Sequence, residues 1–181
     1  MSGNSRIGRP DDAAQAERPL LFCGDLDIRI AADGTWYHEG VAIRRPALVR
    51  LFAGVLRREA TGDYWLVTPV ERARIKVDDV PFLAVELKAE GVDKAQRLSF
   101  RTNLDEWVTA GPARPITFRP QPCGREAAPY IMVRDGLEAR LTRTVYYELA
   151  ERALEDRLDG RTRLGVHSDG AFFPLEADAA S

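Results

Sequence analysis

IRRPALVRLFAGVLRREATGDYWLVT, residues 43–68, and LTRTVYYELAERALEDRLDGRTRLGV, residues 141–166, are the stretches on which the reading of this chain turns. Aligned without a gap, each residue of the first meets one 98 positions further on. Arg45 falls on Arg143, Leu51 on Leu149, Leu56 on Leu154, Gly62 on Gly160 and Leu66 on Leu164. Both stretches run turn, amphipathic helix, glycine, strand. Each follows a short strand and an Asp-Gly turn, Asp33-Gly34 and Asp135-Gly136. A repeated unit implies similar halves packed together, with the seam between them as the natural place for a ligand. The spacing predicts an α+β protein of two lobes with similar topology, each of antiparallel strands plus one main amphipathic helix.

Local signals fill in the elements. Asp27–Ile30, the turn Ala32-Asp33-Gly34 and Trp36-Tyr37 read as a hairpin. Pro46 suits a first helical position, where its missing N–H costs nothing. Leu48, Leu51, Phe52, Val55 and Leu56 follow at the spacing of one buried helix face, with Arg50, Arg57, Arg58 and Glu59 toward water. Gly62 ends this helix and Tyr64–Val67 is a strand. Thr68-Pro69-Val70-Glu71 has the composition of a capping box and predicts one helical turn through Arg74. Ile75–Val77, Pro81–Leu87, Leu98–Thr102 and Ile116–Phe118 read as strands, the first two joined at Asp78-Asp79. Five prolines between Pro112 and Pro129 argue for edge strands or loop. Tyr130–Val133 and Leu137–Leu141 flank Asp135-Gly136. Thr142 or Thr144 caps a second helix with apolar Val145, Tyr146, Leu149, Ala153 and Leu154, closed by Gly160. Leu164–His167 and Ala171–Phe173 form a last hairpin. The expected organisation is a disordered tail over 1–19, an N-terminal lobe over 20–74, a C-terminal lobe over 75–175 and a disordered tail over 176–181.

Composition narrows the function. The chain of 181 residues is 45 % apolar and 30 % charged, values of a globular protein. A net charge of -2 favours neither nucleic acid nor an anionic membrane surface. Cys23 and Cys123 are the only cysteines and form no Cys-x-x-Cys pair, so neither a disulfide scaffold nor a zinc site is indicated. No apolar run is long enough to span a membrane and Met1–Pro19 lacks the apolar core of a secretory signal, so the expected location is the cytoplasm. P-loop, Gly-x-Gly-x-x-Gly and serine-nucleophile motifs are absent, and no cofactor is called for.

The sharpest oddity is positive charge at the helix starts. Arg44 and Arg45 precede the first helix; Arg140 and Arg143 flank the second. A helix N-terminus disfavours cations by about 0.3–1 kcal/mol, and its free N–H groups bind phosphate readily. An anion seated among these arginines would reconcile the two; pairing with Glu39, Glu138 or other carboxylates would do so equally. Tyr146 or Trp65 supplies a stacking face. His38 and His167 are the only histidines and do not occupy matching repeat positions. Asp78 and Asp79, adjacent in an extended segment, face opposite ways and read as turn residues.

Tyr64-Trp65-Leu66-Val67-Thr68-Pro69-Val70-Glu71, Val77-Asp78-Asp79-Val80-Pro81-Phe82, Val133-Arg134-Asp135-Gly136-Leu137-Glu138-Ala139-Arg140 and Ser168-Asp169-Gly170-Ala171-Phe172-Phe173-Pro174-Leu175 resemble a bacterial family, domain-of-unknown-function family 1285. The resemblance covers about Leu20 to Leu175. It implies two lobes of duplicated topology, the C-terminal one loosely like pleckstrin-homology domains. It also implies an inter-lobe cleft for a nucleotide-like ligand and a role in signalling. Carried onto this chain, the motif positions are Arg44, Arg45, Thr68, Glu71, Arg134, Arg140 and Arg143, none of them catalytic. The leading expectation is a non-enzymatic sensing module that holds a small anion between lobes with Arg44, Arg45, Arg140, Arg143 and Tyr146. The alternatives are a protein-interaction adaptor and, behind it, an enzyme using Glu71 or Asp79 with His38 or His167. Oligomeric state is left open.

Overall fold

The computed structural model describes residues 21–122 and 126–176. The expected tail over 1–19, nearly all of that over 176–181, and Cys123 lie outside them. In the first lobe, β1 (Leu21–Ile30), β2 (Trp36–His38) and β3 (Val41–Ala42) form a meander. The Asp33 carboxylate accepts the Thr35 N–H at 2.9 Å in the first turn, as an Asp-Gly hairpin requires. α1 (Pro46–Gly54) then leads to a second meander, β4 (Leu56–Arg58), β5 (Tyr64–Val67) and β6 (Glu71–Val77). The sheet order is β3-β2-β1-β6-β5-β4, with β1 and β6 parallel.

The second lobe repeats this path. β7 (Phe82–Glu90), β8 (Arg97–Thr102) and β9 (Trp107–Thr109) make one meander. β10 (Ile116–Pro120), β11 (Ala127–Arg134) and β12 (Leu137–Leu141) make the other. The order is β10-β11-β12-β7-β8-β9, and β7 lies parallel to β12. The lobes therefore share one topology and are each antiparallel except at the junction of their meanders, where the sequence led us to expect antiparallel strands throughout. The chain passes between them at residues 78–81 rather than at Arg74–Ile75, because β6 runs on to Val77 beside β1. α2 (Arg143–Ala150) follows the second sheet and packs on β7. β13 (Leu154–Leu158), β14 (Arg161–Ser168) and β15 (Ala171–Pro174) close the chain as a separate three-stranded sheet. Ser168 docks it: the buried hydroxyl accepts the Leu98 N–H at 2.9 Å and donates to the Ala110 carbonyl at 2.7 Å.

The duplication thus maps β1–β6 onto β7–β12, and the 98-residue register joins positions that are not equivalent in packing. Leu51 is 64 % exposed where Leu149 is fully buried, and Leu56 and Leu66 are buried where Leu154 and Leu164 are exposed. What the two stretches share is a local path of helix, short strand, glycine turn and strand.

Both helices are shorter than the periodicity predicts. α1 ends at Gly54 and buries Val49 and Ala53, with Phe52 stacked on Trp36 at 6.3 Å. Leu56–Arg58 instead pairs with Tyr64–Val67 as a hairpin whose turn contains Gly62 at φ +93°. Likewise α2 ends at Ala150, and Leu154–Leu158 pairs with β14 around Gly160. Leu56, two residues past the end of α1, still faces the core, so the apolar period continues into the strand; Leu154, four residues past the end of α2, keeps the spacing but is exposed.

The capping-box turn is also a hairpin. The Glu71 N–H does donate to Thr68 Oγ1 at 3.1 Å, as a cap would, but the Thr68 N–H donates to the Glu71 carbonyl at 2.9 Å. That second bond closes a four-residue turn between β5 and β6. The proline reading holds for Pro120, which ends the edge strand β10, whereas Pro129 lies in β11, between β10 and β12 in the sheet order. One continuous apolar core crosses both lobes, joining Ile30, Trp36 and Leu56 to Phe82, Phe100, Ile131, Leu137 and Leu149.

Candidate functional site

Pro129 borders a large hollow. Proline has no N–H to offer a neighbouring strand, and the β11–β12 ladder begins only at Tyr130 opposite Arg140. The gap left beside Ala127–Pro129 opens into a cleft of about 920 Å³, roofed by the first turn of α2. Thr142, Arg143, Tyr146 and Tyr147 line it from the helix, Leu83 and Leu141 from the sheet, and Gln121, Glu126 and Arg140 from the rim. Among the described residues every one that lines it belongs to the second lobe, so the cleft is not the seam between lobes that the repeat suggested.

At the roof, Thr142 Oγ1 accepts the Val145 N–H at 3.5 Å and no acid occupies the first turn. Arg143, the first helical residue, is exposed and has no ion pair among the described residues. Tyr146 packs on Phe118 and Tyr147, with ring centroids 5.9 and 6.0 Å away.

The other expected site residues are elsewhere. Arg44 and Arg45 are exposed ahead of α1, Arg45 in the N-cap position, and they do not line the cleft. Thr68 and Glu71 form the β5–β6 turn. Arg134 is committed: it donates to Glu106 at 2.6 Å and to the Ala53 carbonyl at 2.8 Å, and lies over the Phe82 ring. Ala53 stands in the last turn of α1, where orphan carbonyls and the helix dipole welcome a cation. Arg140 is committed too, to Gln121 at 2.6 Å, the Ala32 carbonyl at 2.7 Å and Asp79 at 3.2 Å. Arg44 and Arg45 of the first lobe do not converge with Arg140 and Arg143 of the second; of the expected residues, Arg140, Arg143 and Tyr146 share the cleft.

The histidines do not meet Glu71 or Asp79. His38 is exposed at the end of β2. His167 is buried on Phe172, its Nε2 2.9 Å from Asp156 Oδ2, and Lys94 donates to the same oxygen at 2.6 Å. Lys94, foremost, and the Arg157 N–H hold the Asp156 carboxyl down at about 2. Neither histidine lines the cleft. Among the described residues no group of three His, Cys, Asp or Glu side chains is placed to hold a metal ion. No helix there is long and apolar enough to cross a membrane.

What sequence reasoning missed is the polar seam. Asp79, 4 % exposed, accepts the Tyr130 hydroxyl at 3.0 Å beside its contact with Arg140. Burial, with Asp79 nearby, pushes the Tyr130 phenol up to about 12. Arg119 lies 3.7 Å from the Tyr130 ring centroid and donates to Glu138 at 2.6 Å, and Glu138 also meets Arg58 of the first lobe at 3.7 Å. The usable signal was Asp78-Asp79 itself: two acids facing opposite ways between two sheets reach two different lobes.

Comparison with known proteins agrees with this architecture. Residues 19–80 match the family model described as domain of unknown function (DUF1285), N-terminal domain, and residues 81–175 that of the C-terminal domain. No curated protein matches the chain. A crystal structure of a DUF1285 family protein from Silicibacter pomeroyi DSS-3 is 42 % identical, over 92 % of this chain and 91 % of that one, with a TM-score of 0.79. Another, from Shewanella baltica OS155, shares the fold at 23 % identity and a TM-score of 0.54, over 70 % of this chain and 92 % of that one. The two model boundaries meet within the passage between the sheets, and the chain belongs to the DUF1285 family.

Proposed function

We propose that this protein is a cytoplasmic, non-catalytic sensing module that takes a small anionic molecule, such as a nucleotide, in the cleft beneath α2. The observation that carries the reading is Arg143: a cation at the first position of a helix, without a carboxylate partner among the described residues, on the wall of the cleft. A helix start opposes such a charge and draws an anion, so an anion bound there satisfies both the guanidinium and the free N–H groups. Tyr146 offers an aromatic face to a planar group, and Glu126 an acceptor for a donor on the same ligand. Arg44, Arg45, Thr68, Glu71 and Arg134 have no part in this site.

A thermal-shift series with inorganic phosphate, nucleotides and phosphorylated metabolites tests it. A ligand at about 100 times its Kd adds about 2.7 kcal/mol to the fold, a readily measured rise. Arg143→Gln and Tyr146→Ala are expected to abolish the rise, and Arg45→Ala to keep it. No rise with any anion, or an undiminished one in Arg143→Gln, overturns the reading. Retention of a protein partner without any anion response would favour the adaptor alternative instead.

A further inference from the structure

Arg140 stands on the wall of two hollows at once. One is the cleft beneath α2; the other, of about 370 Å³, lies at the seam and is lined by Arg29, Asp33, Asp78 and the Ala31–Ala32 turn. Its side chain is 18 % exposed and its three polar contacts lie in three parts of the chain. Nη1 is shared between Gln121 Oε1 at 2.6 Å, on the cleft rim, and Asp79 Oδ2 at 3.2 Å, in the passage between lobes. Nη2 donates to the Ala32 carbonyl of the first lobe at 2.7 Å. The neighbouring acid of the passage, Asp78, is held from the other side by Arg29 at 2.5 Å. Consecutive carboxylates therefore grip opposite lobes, and Arg140 reaches across the join.

We propose that Arg140 is a latch between the lobes whose engagement is set by what occupies the cleft. The inference rests on the reading of that cleft as an anion site. Gln121 offers Nη1 a neutral acceptor, whereas a bound anion in the cleft offers an ionic one, and Asp79 keeps the Tyr130 hydroxyl as a donor when Nη1 turns away. A guanidinium is a rigid planar fork, so turning Nη1 into the cleft swings Nη2 away from Ala32. The turn it releases is small and locally closed, with Ala31 N–H to Thr35 O and Gly34 N–H to Ala31 O, both at 2.9 Å. It also abuts Leu83, which lines the cleft: a Cβ on Gly34 would stand 3.4 Å from the Leu83 side chain. Occupancy of the second lobe is thereby reported on the surface of the first.

Amide hydrogen exchange on the intact protein, with and without inorganic phosphate, tests the latch, together with the amide resonances of Thr142–Val145. The expected result is that phosphate shifts the Thr142–Val145 resonances and speeds exchange over Ala31–Thr35 by at least about five-fold. Arg140→Lys keeps the charge but cannot span three acceptors, so it exchanges fast over Ala31–Thr35 with or without phosphate. Shifted α2 resonances with unchanged or slowed exchange in the turn overturn the latch and leave the cleft reading standing. Unshifted α2 resonances overturn the cleft reading and, with it, control of the latch by occupancy. A wild-type exchange rate over Ala31–Thr35 in Arg140→Lys overturns the latch by itself.

Discussion

Tyr130 shows how a single buried hydroxyl records the joining of the lobes. Its phenol meets Asp79 at 3.0 Å in the seam, and burial together with that carboxylate favours the neutral form up to about 12. The fold therefore holds its full contribution below the ordinary phenol value of 10 and loses it as pH rises from 10 toward 12. Ultraviolet titration of the folded protein is expected to show one of its five tyrosines ionising near 12, and Tyr130→Phe to remove that step. All tyrosines titrating together near 10 would contradict this geometry. Asp156 behaves in the opposite sense. Lys94, the Arg157 N–H and His167 favour its carboxylate, so its contribution is present above the ordinary 3.8 and disappears as pH falls toward 2. Urea midpoints measured between pH 4 and 2 are expected to fall less steeply in Asp156→Asn than in the wild type. Such partners were only half legible in the sequence. The alternation of adjacent acids in extended chain correctly separated Asp78 from Asp79, but nothing local shows that Arg140 lies within reach of Ala32, 108 positions away.

The two helices and the strands that follow them show where pattern reading stops. Apolar residues at helical spacing located α1 and α2, and of the two caps open in the sequence, Thr142 and Thr144, it is Thr142 that starts the second. Their ends were not visible, because Leu56 and Leu154 continue the helical period while pairing as strands with Leu66 and Gly165. Thr68–Glu71 failed for a related reason: the hydroxyl-to-amide bond of a helix cap and of a hairpin turn is the same bond, and only the long-range partner of Glu71 on β1 decides between them. The repeat register carries a sharper consequence. Leu51 and Leu149 occupy matched sequence positions, yet Leu149 is fully buried and Leu51 is 64 % exposed. Leu149→Ala is expected to cost about 2–5 kcal/mol by leaving a cavity under α2. Leu51→Ala, on the wet side of α1, should stay within about 0.5 kcal/mol of wild type. Equal losses in chemical denaturation would mean that the 98-residue register reflects packing after all.

Two lobes of the same topology invite the expectation that each is a folding unit, and the seam argues against it. The apolar core is continuous from Ile30 and Trp36 in the first lobe to Phe82, Ile131 and Leu149 in the second, so separation would expose both halves of one core. Three arginines of the second and first sheets then bridge it through backbone carbonyls: Arg134 to Ala53, Arg140 to Ala32 and Arg58 to Gly136. A bond to a carbonyl depends on where the partner's backbone lies, so these contacts exist only when the lobes are docked in this arrangement. Glu106 and Glu138 of the second lobe and Asp79 of the passage supply the countercharges, while Arg134 and Arg140 are held by first-lobe carbonyls and Arg58 by a second-lobe one. Cooperative unfolding of the whole chain follows. Calorimetry is expected to show one transition with equal calorimetric and van't Hoff enthalpies, the signature of a two-state unit. A fragment of residues 81–176 is expected to lack a cooperative transition, since it would carry Phe82 and Ile131 without Trp36 and Leu56 to cover them. Two resolved transitions in the intact chain, or a fragment that melts sharply alone, would show that the duplicated halves are separate domains and that the polar seam is a contact between finished surfaces.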